Sequence, residues 1–261
     1  GLYVKGSGLW RDRPFRSPHH TISYAGMLGG GSVPKPGEVS LAHRGVLFLD
    51  ELPEFNRQVL EVLRQPLEDR FVTIARAKAT LRYPTSFLLA GSMNPCPCGY
   101  ADVTGKPSQR CVCSPLVVNR YRNKLSGPLL DRIDLHTEVP VVDFRELTDI
   151  SMRNVPLDSA TMRKAVASAH LRQQERYHGQ PIRFNSELSG SMLHRYCEVP
   201  KDGMLLLRQS FDVLGLSARA LDRILKIART IADLEGTERI ETQHIAEAIQ
   251  YRVLDRKVIQ D

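Results

Sequence analysis

Residues 45–55, GVLFLDELPEF, place a short apolar run directly before two carboxylates. Val46 to Leu49 are continuously apolar rather than alternating, which is typical of a strand buried on both faces of a parallel sheet. Asp50 and Glu51 follow at the end of that strand. Open α/β sheets bind ligands at the carboxyl ends of their strands. The stretch therefore predicts an α/β fold with a negatively charged site at one edge of a sheet.

The sequence after this stretch supplies a helix and a second strand. From Asn56 to Leu67, apolar residues recur at helical spacing, and Asn56 is a suitable N-cap. Residues 85–94, TSFLLAGSMN, contain another continuous apolar run, which is followed by Ser92 and Asn94. The order strand, turn, helix and strand is that of an α/β fold.

Two neighbouring segments carry basic residues. Residues 71–83, FVTIARAKATLRY, alternate polar and apolar side chains around Arg76 and Lys78, which predicts a β-hairpin with a basic tip. Residues 26–38, GMLGGGSVPKPGE, contain Lys35 and predict a loop whose backbone is free to move or to approach a ligand closely. A solvated surface would explain the same charges.

The composition is that of an ordinary globular protein. Hydrophobic residues make up 42% and charged residues 25% of the 261 residues, and no apolar run approaches the roughly 18 residues of a membrane span. No secretory signal opens the chain, so we expect a cytoplasmic protein. The net charge of +7 permits contact with an acidic polymer but does not require it. The abrupt start, without an initiator Met, leads us to expect a fragment.

The sequence pattern changes from mixed to helical along the chain. Residues 1–140 carry the strand patterns and contain a Cys-rich insertion at 96–113. Residues 141–158 resemble a connector, and from 159–261 apolar residues recur at three-to-four spacing in every segment. We therefore predict an α/β core, a linker and a C-terminal all-helical domain within these bounds.

The two carboxylates allow two interpretations. In a nucleoside triphosphatase, one carboxylate holds Mg²⁺ and the next polarises the attacking water as a general base. Alternatively, Asp50 and Glu51 simply begin the next helix and favour its positive end. The residues of this stretch alone leave both interpretations open.

Three motifs in order along the chain add a family resemblance. They are GEVSLAHRGVLFLDELPEF at 37–55, SMNPCPCG at 92–99 and SGPLLDRIDL at 126–135. Together they resemble the magnesium-chelatase-related AAA+ ATPases of the ComM (YifB-type) branch, over almost the whole chain. The resemblance implies a partial AAA+ P-loop NTPase core with a C-terminal all-α lid domain, and ATP and Mg²⁺ as cofactors. It also implies a ring, expected to be a hexamer, that acts as a helicase in branch migration on single-stranded or branched DNA.

The resemblance implies roles for individual residues. Asp50 and Glu51 match the Walker B pair, so that Asp50 would help hold Mg²⁺ and Glu51 would activate water. Asn94 matches sensor 1, and Arg219 matches sensor 2. Arg132 matches the arginine finger, which reaches the nucleotide of a neighbouring subunit in a ring; a guanidinium suits this role because it is always charged and binds phosphate oxygens in pairs.

Three of these residues also have a local explanation. Asn94 precedes a proline and fits a turn. Arg132 has Asp131 and Asp134 beside it as ion-pair partners, and Arg219 fits the exposed surface of a helix capped by Ser217.

The basic hairpin matches the insertion that precedes sensor 1 in this branch of AAA+ proteins. Arg76 and Lys78 would then line a central pore and, with Lys35, are our candidates for contact with DNA.

One part that the resemblance requires is missing from the sequence. No GxxxxGK[ST] motif occurs, since GKPS at 105–108 places a proline after the lysine. We expect the phosphate-binding Walker A loop to lie upstream, and this chain alone to bind ATP weakly or not at all. The alternatives are a magnesium-chelatase-type subunit that drives metal insertion into a porphyrin, and an assembly module without catalytic activity.

Four cysteines are clustered in two C-x-C pairs, Cys96 with Cys98 and Cys111 with Cys113. In a chain without a secretory signal, such a cluster indicates structural Zn²⁺ more readily than disulfides. The single-residue spacing is unusual for zinc, so free cysteines remain the alternative. Cys197 lies apart in an amphipathic helix and is expected in the core.

His19 and His20 follow a proline in RSPHHT. The sequence assigns them no chemistry, and we expect a packed or phosphate-facing pair.

Overall fold

The apolar stretch before Asp50 forms the central strand of a parallel sheet. The computed structural model describes residues 12–31, 34–76, 79–101, 111–139 and 158–252. The chain divides into two units, Gly1–Arg132 and Ile133–Asp261. Nearly all of the predicted linker, and the middle of the Cys-rich insertion, lie outside the described residues.

The strands that the structure describes all belong to the first unit. In chain order they are β1 (Phe15–Arg16), β2 (Gly29–Gly30), β3 (Lys35–Pro36), β4 (Val46–Leu49), β5 (Phe71–Arg76), β6 (Ala79–Pro84) and β7 (Leu88–Gly91). The helices of this unit are α1 (Tyr24–Leu28), α2 (Glu38–Leu41), α3 (Arg57–Glu61), α4 (Arg64–Asp69), α5 (Pro115–Arg122) and α6 (Gly127–Leu130), with a 3₁₀ turn at Leu52–Glu54.

The central sheet has the order β1-β4-β7, and both neighbours run parallel to β4. Leu47 and Leu49 are fully buried, whereas Val46 and Phe48 are only partly buried. The prediction of a strand buried on both faces is therefore confirmed for one face only. The sheet is closely packed next to Leu52. A Cβ atom added at Gly91 would lie only 2.5 Å from Leu52 Cδ1, which is too close for a normal contact.

The single helix predicted from Asn56 is instead two short helices, α3 and α4. Asn56 caps the first as expected, accepting a hydrogen bond from the Gln58 backbone N–H at 2.9 Å. Pro66 explains the interruption, since it has no N–H to donate to the Val62 carbonyl and its ring crowds that group.

The predicted hairpin is confirmed as the antiparallel pair β5–β6, in which Thr73 lies opposite Arg82 and Ile74 opposite Leu81. Lys78 and the side chain of Arg76 lie outside what the structure describes. The Gly-rich segment is more ordered than predicted, because β2 and β3 pair within it and place Lys35 opposite Gly30.

The second unit is helical in its described part, as predicted. It contains α7 (Ser159–Arg176), α8 (Gly190–Tyr196), α9 (Lys201–Leu214), α10 (Ala218–Glu235) and α11 (Thr242–Gln250), with a 3₁₀ turn at Asn185–Glu187. Its core packs around small and branched residues that are almost completely buried, including Leu188, Leu193, Ile224, Ala228, Ile245 and Ala248. Cys197 belongs to this core, as expected, and its burial raises the pKa of its thiol to about 12.

A buried polar cluster joins two helices of the second unit. Asp233 of α10 is fully buried and forms ion pairs with Arg176 of α7 and Arg229 of its own helix. Asn185 Nδ2 donates to Asp233 Oδ2 at 2.8 Å. Because buried charges are costly unless they are paired, this cluster couples the packing of α7 to that of α10.

Among the described residues, no helix has both the length and the apolar character needed to cross a bilayer.

Candidate functional site

The two carboxylates of the opening stretch lie at the carboxyl end of the central sheet. In the register of β4 with β7, Leu49 is opposite Gly91, so Asp50 and Ser92 follow at the same edge. Both carboxylates are exposed. A ligand can therefore reach both carboxylates at this edge. Because both remain in contact with water, folding does not incur the free-energy cost of burying their charges.

Ser92 is a site residue whose role the sequence did not reveal. Its hydroxyl donates a short hydrogen bond to Asp50 Oδ1. The Glu51 backbone N–H lies 3.0 Å from the same carboxylate oxygen and 3.4 Å from Ser92 Oγ. These contacts orient the Asp50 carboxylate through one of its two oxygens. Only the position of Ser92 directly after the apolar run of β7 could have suggested this contact.

Glu51 has an unusual backbone conformation. Its φ of 55° and ψ of 50° are those of the left-handed region, which non-glycine residues rarely adopt. This conformation ends β4 and begins the 3₁₀ turn at Leu52–Glu54, in which Leu52 is buried. Strained residues of this kind cluster at functional sites, where the surrounding structure holds them.

The histidine pair lies beside the same carboxylates. His20 Nδ1 is 3.6 Å from Glu51 Oε2. The rings of His19 and His20 are 4.0 Å apart, and the ring of His20 meets Phe55 edge-on at 6.3 Å. The two rings thus pack on each other, and His20 lies beside the carboxylate of Glu51.

Asn94 lies two residues beyond Ser92, at the same sheet edge, and is exposed. The hydroxyl of the buried Tyr121 takes part in a hydrogen bond with the Asn94 backbone, which lowers its pKa. Burial, followed by the charges of Glu54 and Glu51, outweighs this bond and raises the pKa of Tyr121 overall. Tyr121 thus remains a neutral anchor for the backbone that presents Asn94.

Arg132 is held within its own chain. Its Nη2 lies 2.5 Å from Glu68 Oε2, and its Nη1 donates to the Pro128 carbonyl at 2.7 Å. Only 9% of the side chain is exposed. The local sequence favoured an ion pair with a neighbouring aspartate, but Glu68 comes from a distant helix.

The other predicted site residues lie apart from this edge or in the second unit. Lys35 is exposed on β3. Arg219 lies in the first turn of α10 and is exposed; Ser217 caps this helix as predicted, accepting from the Ala220 N–H at 3.1 Å.

The four clustered cysteines form a candidate metal centre. Their sulfur atoms all lie within 4.8 Å of one another, with Sγ separations of 3.3 Å for Cys96–Cys98, 3.6 Å for Cys96–Cys111 and 3.5 Å for Cys98–Cys111. A tetrahedral ion with metal–sulfur bonds of about 2.3 Å requires sulfurs about 3.8 Å apart. The cysteines are free of disulfides and can hold such an ion.

Backbone groups already face these sulfurs. The Ala101 N–H donates to Cys96 Sγ at 3.2 Å, and the Cys113 N–H donates to Cys111 Sγ at 3.4 Å. A backbone hydrogen bond at Tyr100 and the Cys96 thiol lower the pKa of Cys98 to about 6. Backbone hydrogen bonds also act at Cys111 and Cys113, but desolvation and the neighbouring thiols outweigh them, raising the pKa of Cys111 to about 12 and also raising that of Cys113. Backbone N–H donors stabilise thiolates, the form in which cysteine binds metals.

Comparison with known proteins places the chain in a family. The family model described as "Magnesium chelatase, subunit ChlI" matches residues 3–147, and the model described as the ChlI C-terminal region matches residues 157–252. YifB of Salmonella typhimurium is 44% identical over 250 residues, which are 96% of this chain and 47% of that protein. This chain belongs to the magnesium-chelatase-related AAA+ family, in its ComM/YifB branch.

Two further similar proteins are informative. Competence protein ComM of Haemophilus influenzae is 44% identical over 247 residues, which are 95% of this chain and 46% of that protein. DNA replication licensing factor Mcm6 of Drosophila melanogaster is 25% identical over 231 residues, which are 85% of this chain and 26% of that protein. The chain spans about half the length of the ComM and YifB relatives.

Proposed function

We propose that this chain is the ATP-hydrolysing module of a ring-forming DNA motor of the ComM type, acting in branch migration during natural transformation or recombination. The observation that carries the proposal is the cluster of Asp50, Glu51 and Ser92 at the carboxyl edge of the sheet. The family membership makes ATP and Mg²⁺ the cofactors that this cluster would serve.

The donor set at the sheet edge fits Mg²⁺, which prefers carboxylate oxygens and keeps several waters. Bound Mg²⁺ would neutralise charge on the phosphates during phosphoryl transfer. Asp50, oriented by the Ser92 hydroxyl, would hold this ion. Glu51 would accept the proton of the attacking water, and Asn94 would orient that water or contact the γ-phosphate.

Two arginines complete the proposed nucleotide site. Arg219 would contact the γ-phosphate, and Arg132 would reach the nucleotide of the next subunit in a ring, expected to be a hexamer. The role of Arg132 requires that its ion pair with Glu68 opens on assembly. Because the 261 residues contain no GxxxxGK[ST] motif, we propose that the chain by itself does not hydrolyse ATP.

Two observations support DNA as the partner. The relative Mcm6 carries DNA replication in its name, and the net charge of +7 suits an acidic polymer. Lys35, which is exposed, and the hairpin residues Arg76 and Lys78 are the proposed contacts. They would bind single-stranded or branched DNA through its phosphates.

Phosphate release by the complete gene product tests this proposal. We expect four-way-junction DNA to raise the rate several-fold, and the stimulation to fall as salt is added, because phosphate contacts are screened and compete with counterions. Heparin serves as the control, since it is a polyanion without bases. Equal rates with and without DNA, or equal stimulation by heparin, would contradict the DNA motor.

The name of the matching family model favours a second candidate, a chelatase-type subunit that drives metal insertion. Hydrolysis that does not respond to DNA would favour this candidate. A complete gene product without any hydrolysis would favour an assembly module instead.

We also propose that the cysteine cluster holds a structural Zn²⁺. Four thiolates form a closed site that suits zinc, and the sulfur separations are close to those of a tetrahedral site. Cys96 follows Asn94 by two residues, so the ion would steady the segment that presents Asn94. Arg122 supports the same segment by donating from Nε to the Pro95 carbonyl at 3.1 Å.

Elemental analysis of the purified protein checks the zinc assignment. We expect about one zinc per chain, and its loss when Cys111 and Cys113 are both replaced by serine, because two ligands do not retain the ion. Cys197→Ala is the control, since that thiol is buried in the second unit and should leave the zinc content unchanged. Full zinc content in the double variant would contradict the assignment.

A further inference from the structure

A histidine lies beside the carboxylate to which the proposed function assigns water activation. His20 lies in the turn between β1 and α1, and its Nδ1 is 3.6 Å from Glu51 Oε2. We propose that His20 is a positioning residue for Glu51, whose ring holds the Glu51 carboxylate in the orientation needed to polarise the attacking water. This inference rests on the proposed ATP-hydrolysing function.

The ring of His20 is itself held in place. It packs against the His19 ring at 4.0 Å and meets Phe55 edge-on, and Phe55 is buried. Thr21 supports the neighbouring ring, with its Oγ1 3.0 Å from His19 Nδ1. A ring confined on two sides can adopt few rotamers. A residue that positions another side chain must be restricted in this way.

Glu51 needs such support more than a helical or strand glutamate would. Its side chain is 53% exposed, so solvent alone would leave the carboxylate free to adopt several rotamers. Its backbone is fixed by the left-handed conformation and by the N–H contacts with Asp50 and Ser92. The carboxylate is therefore the part of Glu51 that remains to be oriented.

The distance suits an adjustable contact. At 3.6 Å the pair is too long for a direct hydrogen bond, but a small rotation of either side chain would form one. Apo structures often show such contacts long, and they tighten when the reactants bind. His20 can thus steer Glu51 without competing permanently with the water that Glu51 must bind.

Steady-state kinetics of the complete gene product test the inference. We expect His20→Ala to lower kcat by about ten- to a hundredfold, because misplacing a catalytic group by about 1 Å costs about that much. The KM for ATP should change by less than about twofold, since the ring does not bind substrate. His20→Asn should recover part of the loss, because its amide can also donate to the carboxylate.

The control is His178→Ala, which makes the same change at an exposed histidine of the second unit. We expect it to retain a rate much closer to that of the unchanged protein. A crystal structure of His20→Ala adds a measurement independent of turnover, in which the Glu51 carboxylate should move or spread over several rotamers.

The outcomes separate this inference from the proposed function. A wild-type protein that does not hydrolyse ATP overturns both. If the wild-type protein hydrolyses ATP, two results overturn the positioning role alone. One is a His20→Ala variant with the wild-type kcat, and the other is a His20→Ala structure in which the Glu51 carboxylate has not moved. A rise in the KM for ATP with an unchanged kcat also contradicts it, because that result would assign His20 to substrate binding.

Discussion

Glu51→Gln is expected to lower ATP hydrolysis by the complete gene product by at least about 10²-fold, because general-base catalysis contributes about 10²- to 10⁴-fold. Glutamine keeps the shape of glutamate but cannot accept the proton of the attacking water. Nucleotide binding should persist, since Asp50 and its hydrogen bond with Ser92 are unchanged. Phosphate release and the binding of a fluorescent ATP analogue, measured in parallel, distinguish the two effects.

The matched control is Glu54→Gln, which makes the same chemical change in the next turn of the chain. Glu54 is exposed and contacts Lys124 Nζ at 3.6 Å, without a contact to Asp50 or Ser92 among those the structure describes. We expect its rate to remain within about twofold of the unchanged protein. If both variants hydrolyse ATP equally fast, Glu51 is not the group that activates water.

Asp233→Ala is expected to destabilise the second unit by about 3–5 kcal/mol, the cost of breaking a buried ion pair. The carboxylate of Asp233 is fully buried and forms ion pairs with both Arg176 and Arg229. Alanine would leave two guanidinium groups without this carboxylate and would remove one of the two acceptors of Asn185 Nδ2, the other being Thr230 Oγ1. The midpoint of urea unfolding, followed by circular dichroism, measures the loss.

Asp222→Ala provides the comparison, since Asp222 lies on the same helix, α10, but is exposed. Surface substitutions of this kind change stability by about 0.5 kcal/mol or less. Asp233→Asn should remain strongly destabilising, because an amide does not neutralise the arginines. Equal urea midpoints for Asp222→Ala and Asp233→Ala would show that the cluster contributes little to stability.

Local patterns sufficed for the elements that carry the site. The apolar run before Asp50, the alternation of the hairpin and the helical spacing after residue 159 each predicted the observed structure. The caps at Asn56 and Ser217 were also predictable, since a cap depends on residues only two or three positions apart. The break before α4 was predictable in principle from Pro66, because proline lacks the donor that a continuous helix needs for the carbonyl four residues earlier.

The contacts between distant segments were not predictable from one sequence. Ser92 meets Asp50, His20 meets Glu51 and Glu68 meets Arg132 only because separate strands and helices end at the same place. The left-handed backbone at Glu51 was likewise unexpected, since glutamate has no local preference for it.

The amino-acid sequence by itself determined the α/β core, the helical second part, the carboxylate pair and the cysteine cluster, because each depends on composition or on spacing along the chain. The tertiary structure decided how these parts meet. It brought the four sulfurs within 4.8 Å of one another, paired Asp233 with its two arginines and placed His20 beside Glu51. The physical reason is that such contacts depend on strand register and on side-chain packing, which are set by the whole fold rather than by any single segment.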